Sequence, residues 1–368
     1  MKTAASSADT PRPKILLFNM TLSGGAGKYI VTLADALRQE GVEVHIIIYK
    51  DAVDYEIPEE VGFHMLLEGK RWKERKSVER ALRQKLDELA PFDLILSNST
   101  PSNKLLSRLN LPNACHVVHS AETKSYSGPL ASLKRWWRDR TYRQLYSGKR
   151  LITVSKGLKR AILEDLKARP LSVETIYNPF DFDEIRRKSE EPVDTIPEEK
   201  YIINVARFSL VQKRQDLLLK AYKKADIPHK LVLLGQGEDE GKIRRLVEEL
   251  GLRGKVILPG FSDNPYAWIR RSELFVLSSD FEGFPRSLVE AAVLEVPIVS
   301  TDCPTGPDEL LTGEWARYLA LPSDADDLAE KIDAALHSPY PRIDTAALSR
   351  FSHRKIAQRL LRLAGGQR

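Results

Sequence analysis

The stretch Glu282-Gly283-Phe284-Pro285-Arg286-Ser287-Leu288-Val289-Glu290 decides how the second half of this chain is read. The apolar run Leu274 to Leu277 ahead of it reads as a buried strand, and the apolar positions from Val289 to Leu294 continue with helical spacing. Gly283 to Pro285 supply the turn between them. Pro285 suits the first helical position, because its missing N–H would be unpaired there anyway. The free amides of Arg286, Ser287 and Leu288 then face the carboxyl end of the sheet, where a diphosphate accepts their hydrogen bonds. Glu282 in the turn and Glu290 inside the helix are acceptors suited to hydroxyl groups on either side of that anion. A sugar joined to a nucleoside diphosphate has this layout. Solvated helix faces also supply paired carboxylates, so the strand–turn–helix setting carries the reading.

A second anchor is Ile202-Ile203-Asn204-Val205-Ala206-Arg207-Phe208, a strand and its end, followed by Lys213 and a helix through Leu217 to Leu219. An Arg and a Lys beyond one strand end neutralise a diphosphate, the first by its planar fork and the second as a point charge. The alternative is two solvated basic residues at a helix start, where their sign opposes the helix dipole. Val232 to Gly237 reads as a buried strand ending in a glycine turn, then a helix through Ile243, Leu246, Val247 and Leu250. Val256 to Phe261 and Ile298 to Asp302 are further strands, the latter followed by Thr305-Gly306-Pro307-Asp308-Glu309.

In order and residue type, residues 200–312 resemble the retaining glycosyltransferases of family 4, which have the GT-B fold. The resemblance implies an α/β architecture of two Rossmann-like domains facing each other across a cleft. It implies Glu282 on the hydroxyls of the transferred sugar, Glu290 on the ribose, and Arg207 and Lys213 on the diphosphate. Gly235, Phe261 and the run Gly283, Phe284, Pro285, Arg286, Ser287, Leu288 are expected around the donor. Ala206 stands where the family usually has Gly, and Arg214 where Gly often follows the Lys.

The first half opens with a βαβ pattern: a strand Lys14 to Phe18, the turn Leu22-Ser23-Gly24-Gly25-Ala26-Gly27-Lys28, a helix through Leu33 and Leu37, and a strand Val42 to Tyr49. A P-loop would need Gly at Leu22 and Ser or Thr at Tyr29, and a dinucleotide fingerprint would need Gly at Ile30. Both fail. The turn resembles the family's Gly-Gly turn, which places Gly24 and Gly25 where donor phosphate and acceptor approach the backbone. Cys115 to Ser120 reads as a strand with a polar tip, and the family pattern implies that His119 donates to the sugar's outer hydroxyl. A lone His is otherwise a packed or solvated residue. Ser155 suits the N-cap of a helix Lys156 to Leu166. Tyr177-Asn178-Pro179 with Asp181 resembles the family's interdomain hinge, and Asp181-Phe182-Asp183, though it looks like a metal-binding Asp-x-Asp, is read as structural there. Neither a metal nor a cofactor is expected, since Arg207, Lys213 and a helix N-terminus balance the phosphates.

At 368 residues the chain suits two domains. Residues 1–180 are expected to bind the acceptor, completed by a C-terminal helix 350–368, and residues 181–349 to bind the nucleotide sugar. Glu190 to Lys200, acidic and proline-containing, reads as the interdomain linker. Cys115 and Cys303 fall in separate halves without metal-like spacing, which argues against a disulfide framework. No run of about 18 apolar residues occurs, and residues 1–13 lack a signal core and read as a tail, so the cytoplasm is expected.

Charge is uneven. Residues 1–180 hold 29 Lys+Arg against 20 Asp+Glu, a net of +9, and the remainder 28 against 31, a net of −3. The excess concentrates in Lys70 to Lys85 and Lys134 to Arg150, the second interleaved with Trp136, Trp137, Tyr142 and Tyr146. That pattern suits an anionic bilayer on the inner face of the plasma membrane, RNA, or a solvated face whose aromatics form the helix's core side. A lipid-linked acceptor favours the bilayer, and nucleic acid is not an expected partner.

The expected activity is retaining transfer of a hexose or N-acetylhexosamine from a UDP-type nucleotide sugar to a glycan or lipid-linked acceptor, in surface polysaccharide or lipopolysaccharide synthesis. No residue stands out as a covalent nucleophile, so a front-face route fits. A sugar-nucleotide epimerase of the same fold would use the carboxylates as acid and base. A non-catalytic membrane- or RNA-binding protein would leave the 200–312 pattern idle.

Overall fold

The computed structural model describes residues 12–66, 75–120 and 130–365. Its strands are β1 (Lys14–Asn19), β2 (Glu43–Ile48), β3 (Gly62–Met65), β4 (Leu94–Ser97), β5 (Ala114–Val118), β6 (Arg150–Thr153) and β7 (Ser172–Thr175), then β8 (Tyr201–Val205), β9 (Lys230–Leu234), β10 (Val256–Gly260), β11 (Leu274–Leu277), β12 (Ile298–Thr301) and β13 (Leu319–Ala320). They form two parallel sheets, in the orders β3-β2-β1-β4-β5-β6-β7 and β10-β9-β8-β11-β12-β13. The central strands are short, continuous apolar runs such as Ile15 to Phe18 and Leu274 to Leu277, buried throughout. That is what a parallel sheet covered on both faces requires. In each sheet the order reverses once, between β1 and β4 and between β8 and β11, and ligands of such sheets bind beyond the carboxyl ends at that switch.

One apolar cluster runs through both halves. It joins Ile15, Leu17 and Val117 to Ile203 and Phe275 by way of Tyr177, Phe180, Phe284 and Phe351. The chain crosses between the sheets at residues 176–181 and returns near residue 352. There the Phe180 amide donates to the Phe351 carbonyl at 3.0 Å, and the His353 amide donates to the Phe180 carbonyl at 2.9 Å. The helix His353–Gly365 then packs on the helix Gly24–Gln39 of the first sheet. Glu190 to Lys200 is not where the domains join: it follows the helix Phe182–Ser189, which already packs on the second domain's helices. Its acidic, proline-containing composition is that of a surface loop leading into β8.

Two helical details differ from expectation. Ser155 does cap its helix, accepting from the Leu158 amide at 3.1 Å, but the α-helix ends at Arg160 and continues as a π turn, Ala161–Asp165. In the helix Ala131–Tyr146, Leu145 and Tyr146 are buried whereas Trp136 and Trp137 are 53% and 57% exposed. The tryptophans are therefore not the core side. Part of the other basic segment, residues 70–74, lies outside the described residues, as do residues 1–11 of the tail and 366–368 of the last helix.

Candidate active site

The crevice of the second sheet opens beyond Val205 and Leu277, on the neighbouring strands β8 and β11. Lys213 Nζ lies 2.6 Å from Glu282 Oε1 there, and Ser279 Oγ donates to the same oxygen at 2.6 Å. Glu282 is buried, and its main-chain carbonyl accepts from Thr305 Oγ1. A tight turn delivers the lysine: the amides of Lys213 and Arg214 both donate to the Ser209 carbonyl. Arg214 closes this turn at φ +50°, a left-handed conformation that costs a residue with a Cβ roughly 1–2 kcal/mol. Glycine is free of that cost, which accounts for the family preference. Here Asp280 and Asp216 hold the Arg214 guanidinium at 2.6 and 3.0 Å.

Ala206 is tolerated because the crowding falls on its neighbour: a Cβ on Gly235 would lie 2.1 Å from the Ala206 carbonyl oxygen. Packing alone thus explains Gly235. Arg207 is exposed, with Nη2 3.3 Å from Gln212 Oε1, and Phe261 stands 64% exposed on the loop after β10.

In the first domain, Gly24 opens its helix at φ +58° and is braced by the segment after β2. The Gly24 amide donates to Asp54 Oδ2 and Tyr55 Oη donates to the Gly24 carbonyl, both at 3.0 Å. His119 follows β5, its ring edge-on to Tyr29 with centroids 4.7 Å apart. Its Nε2 is enclosed and has no partner among the described residues. Burial, followed by the charge of Arg286, pushes its pKa down to about 4, so the ring is neutral at physiological pH. His116 belongs to packing instead: its buried Nδ1 lies 2.7 Å from Ser97 Oγ.

The two halves meet backbone to backbone. A Cβ on Gly283 would lie 1.5 Å from the His119 carbonyl oxygen, and one on Gly25 3.8 Å from Arg286 Cδ. Lys28 Nζ bridges to both Glu184 oxygens at 3.0 Å. Glu309 reaches into the first domain, accepting from the Lys156 and Gly157 amides at 2.9 Å and from Tyr177 Oη at 2.8 Å. Glu290 is buried with Arg286 Nε at 3.9 Å. Burial raises its carboxyl above the usual range, against the opposing charges of Arg286 and Lys28, with Glu184 adding to the rise.

Most of the sequence-derived residues thus gather at one cleft, with two corrections. Pro285 is the N-cap rather than the first helical residue, the helix being Arg286–Val293. The Phe284 side chain turns away from the crevice into an aromatic cluster with Tyr177 and Phe351. Leu288 is core, leaving only its amide to a ligand, whereas Ser287 keeps part of its surface. Lys28, Asp54, Tyr55 and Glu184 were not anticipated. Their roles come from contacts distant in sequence, Lys28 with Glu184 across the cleft and Asp54 and Tyr55 with Gly24 inside the first domain, and carry no local sequence signal, apart from the place of Lys28 just after the glycine turn.

Residues 181–354 match the family described as Glycosyl transferases group 1, and residues 23–184 match Glycosyltransferase Family 4. The chain is 31% identical over 297 residues to the N-acetylgalactosamine-N,N'-diacetylbacillosaminyl-diphospho-undecaprenol 4-alpha-N-acetylgalactosaminyltransferase of Campylobacter jejuni, spanning 78% of this chain and 80% of that one. This chain is a family 4 glycosyltransferase of the GT-B fold. The lipopolysaccharide 1,6-galactosyltransferase of Escherichia coli is another relative, 27% identical over 57% of the glycosyltransferase and 59% of its own length. In fold, the glycosyltransferase resembles Anabaena HepE, crystallised with UDP and glucose, at a TM-score of 0.75 and 18% identity, covering 96% of this chain and 100% of that one.

Proposed function

We propose that this glycosyltransferase moves a hexose or N-acetylhexosamine from a UDP-sugar to a glycan or lipid-linked acceptor of surface polysaccharide or lipopolysaccharide synthesis. The observation that carries the reading is the meeting of two switch points, with Gly283 against His119 and Arg286 against Gly25. Residues 181–349 hold the donor in this reading, and residues 1–180 the acceptor. Support for the acceptor class comes from relatives named for undecaprenol-linked and lipopolysaccharide substrates.

The donor's ribose lies at Glu290 and its sugar at Glu282 and His119. Lys213 and Ser279 occupy Glu282 Oε1, which leaves Oε2 for a sugar hydroxyl. Arg207, Lys213 and the amides of Arg286, Ser287 and Leu288 take the diphosphate. Transfer retains the anomeric configuration by a front-face route without a metal: the departing phosphate oxygen accepts the acceptor hydroxyl's proton as the new bond forms. The protein's work is positioning and stabilisation of leaving-group charge.

The helix Ala131–Tyr146 rests the first domain on an anionic bilayer from the cytoplasmic side, with Leu133, Trp136 and Trp137 exposed beside Lys134, Arg135 and Arg140. No helix among the described residues is long and apolar enough to cross a membrane.

A panel of UDP-, GDP- and ADP-sugars tested for thermal stabilisation identifies the donor, since a ligand of the native state raises Tm. Release of UDP only in the presence of acceptor separates transfer from epimerisation. Absence of any nucleotide-sugar response overturns the proposal. A product of inverted anomeric configuration, or activity lost to a chelator and restored by a divalent ion, removes the corresponding part.

A further inference from the structure

We propose that the Arg286 side chain is a phosphate-binding group, set to grip a diphosphate between the two domains. The inference rests on the reading of the cleft as a nucleotide-sugar site and adds a cation beyond Arg207 and Lys213. Three other basic side chains around the crevice are paired with carboxylates. Lys28 is held by both oxygens of Glu184 at 3.0 Å, Lys213 by Glu282 at 2.6 Å, and Arg214 by Asp280 at 2.6 Å. Among the described residues Arg286 keeps only long polar contacts, 3.4 Å from Nη1 to the Pro179 carbonyl and 3.9 Å from Nε to Glu290 Oε1. Its side chain is 18% exposed, so most of it is withdrawn from bulk water. A charge withdrawn from water without a full set of hydrogen bonds is costly.

Apolar contact is what positions this guanidinium. Its carbon lies 4.4 Å from the centre of the Phe180 ring, and its Cδ faces Gly25. Asp54 and Tyr55 fix the glycine turn opposite, and Gly25 presents no side chain to the arginine. A donor fork steadied on an aromatic ring, with a bare turn before it, matches two oxygens of a phosphate. Its place in the chain also calls for an anion. Arg286 opens the helix Arg286–Val293, where the macrodipole disfavours a cation. Both sides of the cleft feel its charge: it adds to burial in lowering the His119 pKa and counters burial at Glu290.

The test compares wild type, Arg286→Gln and Arg286→Lys, with inorganic pyrophosphate and UDP as probes and with a phosphate-bearing and a phosphate-free acceptor. Pyrophosphate and UDP affinity should fall roughly 10- to 150-fold in Arg286→Gln, the scale of a charge-assisted hydrogen bond. Arg286→Lys, which keeps the charge and loses the fork, should recover part, and it carries the comparison if the Gln variant does not fold. Loss confined to the phosphate-bearing acceptor still supports the anion site and assigns its phosphate to the acceptor. If pyrophosphate binding depends on Arg286 but no nucleotide binds better than pyrophosphate, the anion site stands and the nucleotide-sugar reading falls. Equal binding of pyrophosphate and UDP by all three proteins, with unchanged KM for both acceptors, overturns the inference.

Discussion

Lys213 and Glu282 form a single short ion pair, Nζ to Oε1 at 2.6 Å, from loops that follow different strands of the second sheet. In the proposed donor site the lysine has two duties, orienting the carboxylate and facing the diphosphate, whereas exposed Arg207 has only the second.

Removing the two cations should accordingly give different signatures. Lys213→Ala and Arg207→Ala are each expected to lower kcat/KM roughly 10- to 150-fold. Only Lys213→Ala should also lower stability, by about 1–3 kcal/mol, because it strands the buried Glu282 carboxylate. Denaturant unfolding beside steady-state kinetics separates them. An unimpaired double mutant would remove both residues from the mechanism.

The carboxylates should divide their roles. Glu282→Gln is expected to damage turnover or sugar choice while bare UDP still binds, and Glu290→Gln to weaken UDP itself. Glu290 also has a pH signature. Folding raises its pKa above the ordinary 4.5, so the stability it contributes is complete below that value and is lost as pH rises through the folded value. Glu290→Gln should therefore raise the Tm of the ligand-free protein at about pH 8, with the gain vanishing towards about pH 4. A gain that grows on acidification contradicts this.

Glu309 ties the second domain to the first helix turn at Lys156 and Gly157, and to Tyr177 Oη. Glu309→Ala should cost about 2 kcal/mol, the sum of a lost cap and a hydroxyl left unpaired. The domains should then unfold in separate steps, visible by calorimetry as a broadened or split transition. A single sharp transition at the wild-type temperature would show that the contact couples nothing.

Charge reversal of Lys134, Arg135 and Arg140 should abolish sedimentation with anionic vesicles, each basic residue contributing about 1 kcal/mol at such a surface. Arg138 is left out because Asp139 already holds it at 2.8 Å. UDP binding should be untouched, and salt should weaken the wild-type association. Equal binding to neutral vesicles contradicts the electrostatic part.

The sequence made the second domain readable because its chemistry sits at strand ends, within a few residues of each buried apolar run. Arg207 and Glu282 lie just beyond β8 and β11, and Lys213 and Glu290 follow further along the same two segments. Contacts between segments distant in sequence were not readable. Nothing near Lys28 announces Glu184, which lies in the other domain, and nothing near Asp54 announces the Gly24 amide. Gly306 to Glu309 open the short helix Pro307–Leu310, yet Glu309 spends its carboxylate on the amides of a helix in the other domain. The departure at Arg214 became intelligible only with its backbone angle and its two aspartates on the page.

Phe180 is bonded to both Phe351 and His353, so outgoing and returning chain cross the domain boundary side by side. Parting the halves at this boundary means breaking both of these hydrogen bonds together. The same geometry governs chimeras built to exchange donor or acceptor specificity. A cut at residue 180 alone would pair a new first domain with a tail helix shaped for the old one. A working graft has to carry residues 353–365 along with the domain they cover.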